Sequence, residues 1–153
     1  MRTPKQVLVI PYFIEDSILK LCILKRADLD AWQWVAGGVE NDESINDAAI
    51  RESSEELGIC CQNHNLLKLE TQCSIPKCYF NFQECNHDHI YTVTEYAFAI
   101  ELKSSHGINI SEEHSEHKLI TYHQLKDLKT WDSNRTAAWE LRQRLLDNNL
   151  IIG

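Results

Sequence analysis

No run of apolar residues in the sequence approaches the roughly 20 that a membrane-spanning helix needs. There is no Lys or Arg cluster either, and with a net charge of −8 the chain lacks the basic surface that general nucleic-acid binding requires. Repeats, low-complexity tracts and linker-like stretches are missing, so a single domain over residues 1–153 is expected. The opening "MRTPKQVLVIPYF" has one short apolar run, then Glu15 and Asp16, and no small-residue cleavage site. That argues against a secretory signal and for a first strand. With no membrane or secretory signal, a cytoplasmic location is expected.

Six cysteines are present (Cys22, Cys60, Cys61, Cys73, Cys78 and Cys85). A domain of this length needs no disulfides to fold, and reduced thiols fit the expected compartment. Cys73, Cys78, Cys85, His87 and His89 mix zinc-ligand types, but their spacing matches no closed structural-zinc pattern. The segment reads as a loop with incidental thiols.

What the chain does have is concentrated acid. Residues 40–56 hold Glu40, Asp42, Glu43, Asp47, Glu52, Glu55 and Glu56 against one base, Arg51, a net of −6 in a chain of −8. Around this segment the pattern is mixed. "QVLVIPYFI" and "LKLCILKR" read as paired strands, and "ADLDAWQWVAGG" as turn and loop. Residues 44–57 read as a helix ended by Gly58. Residues 62–73 read as part strand, "YTVTEYAFAIEL" and "HKLITY" as strands, and "HQLKDL" as a short helix. A last helix is signalled by "DSN", with Ala137, Leu141 and Leu145 on its inner face. This order predicts an α/β sandwich.

On a helical wheel Ile45, Ala48 and Ala49 share one face, and the same face continues as Glu52, Glu55 and Glu56. Like charges at this spacing repel, and acids near a helix C-terminus oppose its dipole, at roughly 0.3–1 kcal/mol each on a wet surface. A stripe that begins apolar points the acids inward, where the cost grows. A divalent cation compensates it, and clustered oxygen ligands suit Mg²⁺, with Mn²⁺ able to substitute.

At these residues the sequence resembles the Nudix hydrolase family. The family's box is Gly, five residues, Glu, seven residues, Arg-Glu, an aliphatic, any residue, Glu-Glu, any residue, Gly and an aliphatic. It is met by Gly37, Glu43, Arg51, Glu52, Glu55, Glu56 and Gly58. Seven fixed positions arise by chance in such a chain roughly once in a million. Ser53 departs, standing where the family places a bulky aliphatic. "LKRADLDAWQWVAGGVENDES", "SEEHSEHKLITY" and "TWDSNRTAAWELRQRL" extend the likeness to the branch acting on dihydroneopterin triphosphate and dATP.

The resemblance implies a Nudix α/β/α sandwich with a mixed sheet, a strand–loop–helix motif and a C-terminal helix. It implies metal ligands at Glu52, Glu56 and Glu113, with the Gly37 carbonyl joining them. Glu55 would support the site and Arg51 orient the carboxylates. Glu52 is the first choice of general base and Glu113 the second; Glu116 is the lesser alternative to Glu113. Lys25 and Arg26 are expected at the substrate phosphates and Arg135 at a pocket wall. Trp32, Trp34 and Trp131 are read as packing. Tyr79, Phe80 and Phe82 can stack on a ring or fill the core.

The implied activity is Mg²⁺-dependent cleavage of a nucleoside or pterin triphosphate to monophosphate and pyrophosphate, by a monomer or homodimer with a small polyphosphate as its partner. A linked nucleoside diphosphate (a dinucleoside polyphosphate or ADP-ribose) is the alternative substrate. A Nudix-fold binding module without turnover is the alternative of a different class.

Overall fold

The two apolar runs at the start of the chain pair as expected. In the computed structural model, which describes residues 2–62, 65–80, 89–104 and 107–153, β1 (Arg2–Glu15) and β2 (Ile18–Arg26) form an antiparallel hairpin from Glu15↔Ile18 to Tyr12↔Leu21. Asp16 and Ser17 turn it, both at positive φ (52° and 64°), the conformation a two-residue hairpin loop demands. β3 (Trp32–Gln33), β4 (Val35–Glu40), β5 (Leu66–Pro76), β6 (Thr92–Glu101) and β7 (His114–Ile120) complete a seven-stranded mixed sheet. β1 runs parallel to β6, while its other edge pairs antiparallel, first with β4 and then with β2. Pro11 falls between those two pairings, where a central strand can do without an N–H.

Strand periodicity divides the core into two layers. Val7 and Val9 of β1 face α1 (Ile45–Leu57) and pack with Ala48, Ala49, Leu57, Phe98 and Ile100. Leu8, Ile10 and Tyr12 face the other way and pack with Ala137, Ala138, Leu141 and Leu145 of α2 (Asp132–Asp147). One helix on each face makes the α/β/α sandwich, with α2 as the C-terminal helix. Among the described residues no helix is long and apolar enough to cross a membrane.

Two local expectations need correction. The stretch read as turn and loop at residues 27–38 contains β3 and most of β4; a two-residue strand and a glycine pair carry too little pattern to announce themselves. Trp131, read as packing under the last helix, is 45% exposed and occupies its N-cap position, where its ring cannot cap. The short helix read at "HQLKDL" is a 3₁₀ helix, Tyr122–Asp127, that ends one residue earlier, with Leu128 as its C-cap. Trp32 and Trp34 are packed in the α2-side core as expected. Phe82, Cys85 and His87 lie outside the described residues.

Candidate active site

α1 starts where Ser44 Oγ accepts the Asp47 N–H at 3.0 Å and stops where Gly58 turns left-handed at φ 65°. These ends fix which residues face the sheet. Ala48 and Ala49 are fully buried, and the face continues to Glu56, only 2% exposed. Glu52 is largely covered, with its side chain 13% exposed. Glu55 leaves the stripe: its side chain is 59% exposed and lies 3.5 Å from Arg51.

Arg51 gathers the acids. Its guanidinium donates twice to Glu43, at 2.8 and 2.9 Å, once to Glu52 Oε1 at 2.8 Å and once to the Gly38 carbonyl at 2.9 Å. Glu43 in turn accepts the Glu40 N–H at 3.0 Å, closing the loop between β4 and α1. The arginine holds the Glu43 carboxyl below its ordinary range. Burial pushes Glu52 the other way despite the same arginine. β4 meets α1 at Gly37, where a Cβ would overlap the Glu52 carboxylate. This glycine is required for a close approach rather than for a turn.

Glu56 is the most perturbed acid in the cluster. Burial first, then Glu52 and Glu113, push its carboxyl up to about 9. One oxygen accepts the Ala36 N–H at 3.1 Å. The other has no hydrogen-bond partner and faces His114 Nδ1 at 3.7 Å, itself unpartnered. Such orphans cost about 1–3 kcal/mol each and call for an explanation. His114 also meets Gln33 through Nε2 at 3.3 Å, and burial pulls its imidazole below its ordinary value.

A cleft of about 630 Å³ opens beside this cluster, lined by Glu52, Glu113, Gly37, Arg26 and His114, with Gln6, Gln33, Gly38 and Glu40 around them and Tyr79 and Phe80 among its walls. Hard oxygen donors, an orphaned carboxylate oxygen and two acids raised by burial and by acidic neighbours fit a divalent cation in chemistry and in place. The ligands are not closed onto a point: among the described residues no three acidic, His or Cys groups converge at metal-ligand spacing. Bare carboxylates repel, and here Glu52 turns to Arg51 while Glu56 turns to Ala36 and His114.

The expected phosphate ligands divide. Arg26 reaches the cleft but is forked onto Asp28 at 2.8 and 2.6 Å. Lys25 does not line the cleft; its ammonium is 3.7 Å from Asp30 and 6.0 Å from the Trp32 ring. Arg135 does not reach it either, being spent on the carbonyls of Leu125 and Leu128 at 3.0 and 2.6 Å. Sequence reasoning gave no role to His114, Gln33 or Gln6. Strand pairing brings His114 to Glu56 and Gln33 to His114, which no local pattern encodes.

An acid cluster on a helix and the turn before β7, beside an open cleft on an α/β/α sandwich, fits a hydrolase of phosphoanhydrides. The NUDIX domain model matches residues 4–139, and the chain belongs to that family. The dihydroneopterin triphosphate diphosphatase of Escherichia coli K12 is 31% identical over 140 residues, covering 89% of this chain and 90% of its own. An RNA pyrophosphohydrolase of Campylobacter jejuni is 30% identical over 103 residues, covering 63% and 61%. A solved structure described as a NUDIX hydrolase of Listeria monocytogenes is 40% identical, with a TM-score of 0.83 over 99% of this chain and 100% of that one. The chain is thus a Nudix-type phosphoanhydride hydrolase.

Proposed function

We propose that the chain is a Mg²⁺-dependent pyrophosphohydrolase acting on a nucleoside or pterin triphosphate and releasing the monophosphate and pyrophosphate. The observation that carries this reading is the unpaired, buried Glu56 oxygen, lying in a cluster with Glu52 and Glu113 beside the cleft. The 31% identity to a triphosphate diphosphatase, over most of both chains, supports the substrate class. Glu52, Glu56 and Glu113 would hold the cation, with the Gly37 carbonyl available to join them. When bound, Mg²⁺ supplies charge neutralisation for the polyphosphate and a site at which attacking water and leaving phosphate are held in place.

The protein's own groups do the rest. Arg51 fixes Glu52 and, through Glu43, the loop. Glu55 sits at the edge of the pair and tops up its negative field. Glu52 accepts the proton of the attacking water, because burial raises its basicity while the arginine keeps it oriented. Arg26 meets a substrate phosphate by exchanging Asp28 for it. Tyr79 and Phe80 flank the ring-bearing end.

The test is turnover at about 5 mM Mg²⁺, above the weak affinity of a site that keeps its waters. The panel holds dihydroneopterin triphosphate, the nucleoside triphosphates, a dinucleoside polyphosphate and ADP-ribose, with Glu56→Gln as control. Pyrophosphate from a triphosphate, lost in the variant, is the expected result. Turnover of the linked diphosphates alone would overturn the substrate class.

A further inference from the structure

The hydrolytic chemistry uses one face of the sheet, and the other face carries a polar row that it leaves unused. Gly38 of β4, Gln6 of β1, Glu95 of β6 and Cys73 of β5 stand side by side across four strands. Two residues further along, Leu8 and Ala97 belong to the α2-side core. By strand alternation the row therefore lies on α2's side, opposite Gly37 and Glu52. Gly38 and Gln6 line the cleft. Next to them, Glu95 is 7% exposed.

A buried carboxylate without full pairing is costly, and Glu95 is held in place rather than released to solvent. The Ser133 hydroxyl donates to it. Ser133 Oγ accepts from Asn134 Nδ2 at 3.3 Å, and Asn134 Oδ1 takes the Trp34 N–H at 3.0 Å. The Asn134 carbonyl takes the Trp34 indole N–H at 2.8 Å. This chain ties the first turn of α2 to Trp34, between β3 and β4, and sets Ser133 beside the carboxylate. A carboxylate offers about four acceptor sites, and Ser133 supplies one donor. Burial pushes Glu95 up to about 7, so the ionised form gains from any further donor brought to it.

We propose that Glu95 reads the ring of the substrate by accepting two adjacent N–H donors, those of the 2-amino-4-oxopyrimidine edge shared by guanine and pterins. Gln6, its neighbour in the sheet, lines the cleft, and Tyr79 and Phe80 are among the cleft's walls. The inference rests on the triphosphate reading proposed above and names the ring that the triphosphate carries. An ionised carboxylate accepts and does not donate, so it matches that edge and mismatches adenine, whose ring nitrogen is itself an acceptor.

The experiment edits both partners. Equilibrium binding of guanosine and inosine monophosphates, which differ by the 2-amino group, is measured by calorimetry with Mg²⁺ on the full chain and on Glu95→Gln. The chain is expected to bind the guanosine compound roughly 10–100-fold more tightly, and the variant to lose that difference. The variant offers one acceptor and one donor, so kcat/KM for dATP should rise relative to dGTP. Equal affinities in the unaltered chain, a difference that survives in the variant, or no measurable binding of either compound overturns the proposal. A role confined to holding α2 would lower the variant's melting temperature and leave the guanosine–inosine difference intact. Should Glu95→Gln not fold, Glu95→Asp, which keeps the charge and withdraws it by one methylene, is expected to lose the same difference. A guanosine preference without hydrolysis of any triphosphate would uphold the ring assignment and discard the proposed reaction.

Discussion

α2 presents Ala137, Ala138, Leu141 and Leu145 to the sheet, all buried, and α1 begins the same way with Ala48 and Ala49. After one further turn the inner face of α1 becomes Glu52, Ser53 and Glu56. The acids of the two helices make the contrast sharper. On α2, Glu140 takes the N–H groups of Glu70 and Thr71 at 2.7 and 2.8 Å, the Thr71 hydroxyl at 2.6 Å and Arg144 at 2.8 Å. Burial pushes it up, yet these donors hold it below its ordinary value. On α1, Glu56 has one donor, an empty oxygen and two like charges for neighbours. One helix fastens the sheet and the other carries a standing electrostatic cost. On the proposed reading, a cation is the partner that removes it.

Breaking the α1 side should act on rate. Glu56→Gln is expected to lower kcat by roughly 10³-fold, the scale of losing several kcal/mol of charge stabilisation. Its metal-free melting temperature should be at least that of the unaltered chain, because the cost of burying an ionisable carboxyl has gone. The rise in melting temperature that Mg²⁺ gives the unaltered chain should vanish. A variant that loses both rate and metal-free stability would contradict the contrast. Breaking the α2 side should act on stability. Leu141→Ala is expected to cost about 2–5 kcal/mol in urea unfolding, with kcat unchanged at a temperature where the variant is folded.

Glu95 carries the α1 kind of cost over to α2's side, and pH exposes it. Its carboxyl is raised from about 4.5 to about 7 in the folded chain. Its contribution to stability is therefore fully present below pH 4.5 and is lost as pH rises to about 7. The stability of the unaltered chain minus that of Glu95→Gln, both without metal, should fall by on the order of 3 kcal/mol across that window. A flat difference would mean that the carboxyl is not buried as described. The smallest effect belongs to Ser53, fully buried with an unpartnered hydroxyl. Ser53→Ala should stabilise by up to about 1 kcal/mol, read from the denaturant midpoint, with activity retained.

These residues also mark how far the sequence could be read. α1 was legible to within a residue because its apolar start and Gly58 are local signals, and the apolar runs of β1 and β2 announced a pair of strands. Glu55 was misjudged because a helical wheel knows the direction of a face and not where the sheet beneath it ends. β3 and β4 were hidden by their length. His114, Gln33 and Gln6 gain their positions from strand pairing across the sheet, and Lys25 and Arg135 lose theirs to Asp30 and to the carbonyls of Leu125 and Leu128. None of these partners is near in a way that spacing reveals, apart from Asp30, whose pairing depends on the loop between β2 and β3.

Gly37 and Gly38 are adjacent in β4, yet the pleat turns them to opposite sides, one toward Glu52 and the other toward the row of Gln6 and Glu95. A single peptide unit, about 3.8 Å from Cα to Cα, divides the two. Substitutions can therefore accumulate around Gln6 and Glu95 without touching the side chains that surround Glu52 and Glu56. In such an architecture the repertoire of one face can drift through descent while the inheritance of the other stays intact.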